Sequence, residues 1–236
     1  MDNQSLPRAI LANPATTVTP DSAKASLVEI FSAIQGEGMN IGSRQLFIRF
    51  GRCDLRCNFC DSANTWTGKS TCDIEQTAGL RDFVTHHNPV SLADLLGWVK
   101  ALDGDRVHDS ISLTGGEPLL HAKFLQAFLP LLRQALPFFP IYLETGGHRP
   151  DLVEPLLPVI DSIGMDMKLP SVSGESLWDA HAKFLQCCVG KNVDIFVKAI
   201  VSSTTTLTDL DRAGEIIKAA DPKIPLILQP VTPLPT

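Results

Sequence analysis

No run of eighteen or more apolar residues occurs in the sequence, so no helix is expected to span a membrane. The N-terminus lacks a basic segment followed by an apolar stretch, which leaves no secretory signal. Positive charge is in deficit: 20 Lys and Arg face 26 Asp and Glu, for a formal net charge of -6. A broad basic surface for gripping nucleic acid is therefore not expected. No internal repeat is visible. Apolar material is plentiful, with 44% of the 236 residues hydrophobic and 19% charged. That suits one large domain burying about 70% of its unfolded surface, and it excludes disorder over the whole length.

The six cysteines make a poor disulfide framework. Cys53, Cys57 and Cys60 fall within eight residues, Cys187 and Cys188 are adjacent, and Cys72 stands alone. Without a secretory signal the expected compartment is the reducing cytoplasm, where clustered thiols bind metal or do chemistry.

Residues 1–24 are rich in Thr, Ala, Asn and Pro and are expected to form a mobile tail, with the folded domain over 25–236. Leu27 to Phe31 suggests a short strand, followed by the glycine-punctuated loop Gln35-Gly36-Glu37-Gly38. Gln45 to Phe50 reads as a buried strand. Further strands are expected at 111–114, 141–144, 163–168, 193–201 and 226–229. Helices are expected at 91–102 (with Ser91 as its cap), 121–136, 176–188 and 208–220, and a short proline-interrupted one near 151–157. Strands thus alternate with helices about six times, which predicts an α/β fold with a mainly parallel sheet. Right-handed crossovers curl such a sheet toward a partial (β/α)6 barrel, with a doubly wound open sheet as the alternative.

The unusual polar and glycine motifs all follow strands: the cysteine loop, Gly115-Gly116-Glu117-Pro118, Glu144-Thr145-Gly146, Asp166-Met167-Lys168 and Gln229-Pro230. The C-terminal ends of parallel strands lie on one face of the sheet, so these distant motifs are expected at a single mouth.

Cys53-x3-Cys57-x2-Cys60 offers three thiolates on one loop. They suit three corners of a cubic [4Fe–4S] cluster, leaving the fourth iron open to a small molecule. Structural zinc wants four closed ligands; Cys72 is the available fourth, though its spacing is wrong for a paired half, and the six histidines form no ligand pair.

This cysteine motif, with Phe59 before its last member, resembles that of radical S-adenosylmethionine (SAM) enzymes. Glu29 to Gly38, Phe47-Ile48-Arg49, Cys60-Asp61-Ser62, Leu113 to Pro118, Glu144-Thr145-Gly146, Asp166 to Ser171 and Leu228-Gln229-Pro230 narrow the resemblance to the 7-carboxy-7-deazaguanine synthase family, over about residues 27–232. The resemblance implies a lyase of queuosine and 7-deazapurine biosynthesis that converts 6-carboxy-5,6,7,8-tetrahydropterin to 7-carboxy-7-deazaguanine with loss of ammonia. It implies three cofactors: a [4Fe–4S] cluster on Cys53, Cys57 and Cys60, SAM, and Mg²⁺. It also implies a flavodoxin-like reductant and a homodimer.

Carried over residue by residue, the resemblance places Phe59, Cys60, Asp61, Gly115, Gly116, Glu117, Glu144, Thr145, Gly146 and Lys168 around SAM. Ile34, Gln35, Gly36, Glu37, Arg49, Thr114 and Gln229 fall around the pterin. Glu117 is expected to accept from the SAM ammonium. Gly115 and Gly116 would allow close backbone approach, and Arg49 would bind the substrate carboxylate bidentately or pair with a structural acid. Ser62 stands where the family usually has Thr and keeps the hard oxygen that Mg²⁺ prefers. Lys168 could serve electrostatics or packing equally. Two other readings are a different radical SAM activity, such as a glycyl-radical activase, which does not need Gln35-Gly36-Glu37-Gly38 or Ser62, and a non-enzymatic zinc module. The family usually continues past Leu-Gln-Pro with another helix and a tail over the substrate, so the last helix is expected to be missing here.

Overall fold

The computed structural model describes residues 23–231. The tail expected over 1–24 thus lies almost wholly outside the described residues, as does the chain after Val231 where the family's last helix would follow. Lys24 belongs to a two-residue strand, β1 (Lys24–Ala25), paired antiparallel with β6 (Val90–Ser91).

The main sheet contains β2 (Leu27–Ile34), β3 (Arg44–Phe50), β4 (Thr71–Glu75), β5 (Phe83–His87), β7 (Ser110–Gly115), β8 (Ile141–Thr145), β9 (Ser162–Asp166), β10 (Asp194–Val201) and β11 (Leu226–Pro230). Their order is β11-β10-β9-β8-β7-β3-β2-β4-β5. The six strands expected after residue 45 are β3 and β7 to β11, and they run parallel throughout. Their order follows the chain without reversal, so the sheet has no topological switch point. Right-handed crossovers then put every helix on one face. The doubly wound alternative is thereby excluded, and the sheet is an open partial barrel.

Helices α1 (Leu92–Leu102), α2 (Ala122–Ala135), α5 (Trp178–Cys188) and α6 (Leu207–Ala220) lie where their periodicity predicts. Ser91 caps α1 by accepting from the Asp94 N–H. The segment near 151–157 is one α-turn, α3 (Pro150–Val153), running into a 3₁₀ helix over Glu154–Val159, because Pro155 and Pro158 remove backbone donors. The single turn α4 (Pro170–Ser173) follows β9.

Two features depart from expectation. The hairpin β4–β5 extends the sheet past β2, in a segment whose charged, one-sided pattern gave no strand signal. And β2 runs antiparallel to β3, a direction no local pattern specifies.

Alternation along the parallel strands sorts the side chains. Leu46, Ile48, Ile111, Leu113, Ile141, Leu143, Ile163, Met165 and Val197 are fully buried under the helices. The residues between them face inward and include Gln45, Arg49, Ser112, Glu144, Asp166 and Lys198. The apolar outer face holds the helix layer, and the polar inner face builds the site. Phe128 on α2 is fully buried in the outer layer. Phe128→Ala should cost about 3–5 kcal/mol, read as a lowered urea midpoint, while SAM affinity stays unchanged.

Candidate active site

The C-terminal ends of the parallel strands surround a cavity of about 640 Å³. It collects nearly every residue expected at the mouth: the three cysteines, Phe59, Asp61, Ser62, Thr114 to Glu117, Glu144 to Gly146, Lys168, Gln35 to Glu37, Arg49 and Gln229. Ile34 is not part of its wall; its side chain is 61% exposed at the end of β2.

The cysteine loop is held by backbone contacts. Gly116 N–H donates to Phe50 O at 3.0 Å and Glu117 N–H to Arg52 O at 2.9 Å. A Cβ on Gly116 would meet Arg52 O at 2.3 Å, and one on Gly115 would meet Phe50 O at 2.2 Å. Gly115 also has φ of +130°, open mainly to glycine. These glycines are thus required by the protein's own chain, whatever ligand they also admit. Arg52 itself is left-handed, at φ of 75°, and donates to Thr65 O at 2.6 Å. From the other side, Asn58 N–H bonds Ser173 O at 3.0 Å and Arg56 N–H bonds Glu175 Oε1 at 2.8 Å.

Burial raises Cys53 above the ordinary thiol range and pushes Cys57 up to about 11. Loading the loop with metal must therefore displace protons. Among the described residues no three His, Cys, Asp or Glu converge on one point as ligands of a single ion would. Cys72, the fourth ligand the zinc reading needs, is 1% exposed on β4, packed in the core and away from the cavity.

Glu117 ties two motifs together. At 1% exposure it accepts from Thr145 Oγ1 at 2.8 and 3.0 Å, from Gly146 N–H at 2.9 Å and from Leu119 N–H at 3.0 Å. The carboxylate expected to meet an ammonium is therefore already engaged with the chain. Gly146 is fixed on its other side by His181, whose Nε2 lies 3.1 Å from Gly146 O. Burial pushes His181 down to about 4, so it is neutral near pH 7 and donates from Nε2. Lys168 makes one contact of each kind: its Nζ donates to Asp166 Oδ2 at 2.8 Å and lies 5.1 Å from the centre of the Phe59 ring.

A second bonded group also lines the cavity. Glu144 turns away from Thr145 and Gly146; its Oε1 accepts from Gln35 Nε2 and Ser112 Oγ, both at 2.9 Å. Gln35 is used up internally, because its Nε2 also donates to Gln45 Oε1 at 2.9 Å and its Oε1 accepts from Glu37 N–H at 3.0 Å. Arg49 gives Nε to Glu29 Oε1 at 2.7 Å, so the structural-acid pairing is real. No acceptor meets its two Nη groups among the described residues.

Asp166, expected at the mouth but given no role, lines the cavity, and so do Lys198, Tyr142 and Phe196, which were not anticipated. Lys198 pairs with Glu37 and lies 3.9 Å from Asp166. Burial alone would raise Asp166, but Lys168 and Lys198 hold it below the usual carboxylate range. Burial would likewise depress Lys198; Asp166 and Glu37 outweigh it and push the ammonium up. A lysine two residues from Phe196 in an otherwise apolar strand was the available signal.

Residues 47–219 match the radical SAM superfamily. Over 213 residues the chain is 48% identical to a 7-carboxy-7-deazaguanine synthase of Geobacter sulfurreducens, an alignment covering 88% of this chain and 82% of that protein. The chain belongs to the 7-carboxy-7-deazaguanine synthase family of radical SAM enzymes. A synthase of the same name from Thermococcus kodakarensis is 29% identical over 88% of this chain and 84% of its own length. The fold resembles a crystal structure of QueE from Escherichia coli with a TM-score of 0.57, at 22% identity over 89% of this chain and 85% of that one. A radical SAM family member uses a [4Fe–4S] cluster and SAM. Three thiols on a cavity wall, braced by a glycine cradle and open to the interior, fit such a cluster. Among the described residues no helix is long and apolar enough to cross a membrane.

Gly116→Ala should drive its new methyl into the Arg52 carbonyl and displace the cysteine loop. The expected result is a lowered melting temperature and a large loss of iron and sulfide retained after reconstitution. Wild-type retention in a folded variant would show that the close approach is dispensable.

Proposed function

We propose that SAM and the pterin occupy opposite ends of this one cavity. The protein then acts as a lyase that converts 6-carboxy-5,6,7,8-tetrahydropterin to 7-carboxy-7-deazaguanine, releasing ammonia. The observation that carries the reading is that two separate bonded groups line the one cavity. Glu117, Thr145 and Gly146 are tied together and to the chain entering the cysteine loop, and Gln35 and Glu144 are tied together with Glu37 and Lys198 beside them.

When bound, the cluster and SAM supply a carbon radical able to take a hydrogen atom from C6 of the pterin, chemistry beyond any side chain. The chain's own residues bind and orient. Cys53, Cys57 and Cys60 hold the cluster. Gly115 and Gly116 keep the neighbouring backbone close, and Lys168 over Phe59 balances the negative charge of the thiolates. The Nη groups of Arg49 bind the substrate carboxylate, while Glu29 on Nε and the Phe31 ring, 5.3 Å from the guanidinium carbon, hold the guanidinium flat. Glu144 accepts from the N–H groups of the pterin ring, and Thr114 and Gln229 complete the wall. This assignment moves Glu144 from SAM to the substrate, because its hydrogen bonds run to Gln35 and Ser112.

Ser62 is the protein ligand to Mg²⁺. Its Oγ donates to Asp61 Oδ1 at 2.8 Å, forming a pair of hard oxygens on the wall. One hydroxyl is a thin shell, so Mg²⁺ affinity rises with substrate bound. A flavodoxin-like protein donates the electron, the enzyme is a homodimer, and it works in the cytoplasm, in keeping with six free thiols.

Reconstituted under anaerobic, reducing conditions, the enzyme should form 7-carboxy-7-deazaguanine from the carboxypterin. SAM cleavage without that product would refute the substrate, and a colourless protein holding zinc but no iron or sulfide would refute the cluster. Arg49→Ala should lose a charged hydrogen bond of about 1.5–3 kcal/mol. KM for the carboxypterin should rise roughly 10- to 150-fold, with SAM affinity unchanged. Ser62→Ala should raise the Mg²⁺ concentration giving half-maximal rate and leave cluster content as in the wild type.

A further inference from the structure

Beneath the cavity wall the inner face carries polar side chains that the proposed function does not use. Gln45 and Ser112 are fully buried and Ser110 nearly so, and none of the three lines the cavity. Apolar residues would fill these positions at less risk, since a buried polar group left unpaired is costly. All three are paired, and the pairing has a direction.

Gln45 Nε2 donates to Ser110 Oγ at 2.8 Å, and Gln45 Oε1 accepts from Gln35 Nε2 at 2.9 Å. Gln35 spends both amide hydrogens, one on Gln45 Oε1 and one on Glu144 Oε1, each at 2.9 Å. Its own Oε1 accepts from Glu37 N–H at 3.0 Å. A flipped Gln35 amide would set its carbonyl against the Glu144 carboxylate and the Gln45 carbonyl, and its NH₂ against the Glu37 N–H. Only one orientation is satisfied. Ser112 Oγ donates to the same Glu144 oxygen at 2.9 Å. Both donors thus land on Oε1, and Glu144 Oε2 has no partner among the described residues.

We propose that Gln45, backed by Ser110 and joined by Ser112, is a positioning residue. It locks the Gln35 amide, which with Ser112 fixes the Glu144 carboxylate so that Oε2 faces the ring N–H groups of the substrate. The inference rests on the pterin reading of this end of the cavity. It explains why Gln35 contributes to substrate binding through another residue.

The test is Gln45→Leu, close in shape but unable to accept from Gln35, alongside Gln45→Glu, which keeps an acceptor facing Gln35. Gln45→Leu should raise KM for the carboxypterin roughly tenfold, the upper range for losing one neutral hydrogen bond. Its kcat, cluster content and SAM Kd should stay near wild type. Gln45→Glu should recover most of the KM. Equal losses in SAM binding and cluster content would mark a merely structural role and overturn the proposal, as would a wild-type KM in Gln45→Leu. A crystal structure of Gln45→Leu separates this proposal from the functional reading, since it needs no substrate. The Gln35 amide and the Glu144 carboxylate should be rotated; both in their wild-type positions would sink the positioning role. A wild-type enzyme that ignores the carboxypterin would overturn the functional reading, leaving the crystal structure to decide the lock.

Discussion

The mouth of this protein depends on how closely the end of β7 approaches the chain leaving β3. Gly115 and Gly116 lie where a single methyl would reach 2.2–2.3 Å from the Phe50 and Arg52 carbonyls. Two backbone hydrogen bonds use that proximity. They hold Phe50 and Arg52, just ahead of Cys53, and the side chain of Glu117 fixes Thr145 and Gly146 at the end of β8. Three consecutive strands of the sheet are thus locked at the level where the thiols sit. A glycine motif that invites explanation by a ligand has, first, an explanation in the chain itself.

The second constraint is electrostatic. The inner face carries Glu37, Glu144, Asp166, Lys168 and Lys198 around one cavity. Asp166 resolves the conflict by standing between two lysines, and both stay charged despite burial because of it. The parallel strands tolerate so polar a face because their other face is almost wholly apolar and carries the helix layer. The sheet does two jobs through the two-residue period of a strand.

The site residues also divide by what they touch. Gln35 and Glu117, each prominent in a recognisable motif, direct their side chains to other motif residues. Arg49, Glu144 and the three cysteines keep atoms turned to the cavity. A motif therefore marks a site without saying which of its members meets the ligand.

Much was legible in the chain. Six parallel strands, four long helices with their bounds to within a few residues, and the convergence of motifs at one mouth all follow from local periodicity and the crossover rule. Cys53, Cys57 and Cys60 pointed to the superfamily, and their combination with Gln35-Gly36-Glu37-Gly38 and Cys60-Asp61-Ser62 pointed to the family. Hydrophobic pattern, however, reports only that a residue is buried, never what it meets. It could not show that β2 runs against β3, that β4 and β5 extend the sheet, or that Cys72 lies in the core away from the other thiols. Gln45 and Lys198 looked like interruptions of apolar strands, because their partners Gln35, Ser110, Glu37 and Asp166 are distant in sequence. The sequence by itself determined the fold class, through hydrophobic periodicity, and pointed to the family, through its motifs; local spacing also placed three thiols on one loop. Which carboxylate ties strands together and which one faces the cavity was decided by tertiary structure alone, because a buried polar atom takes its role from whatever donor the fold brings within 3 Å.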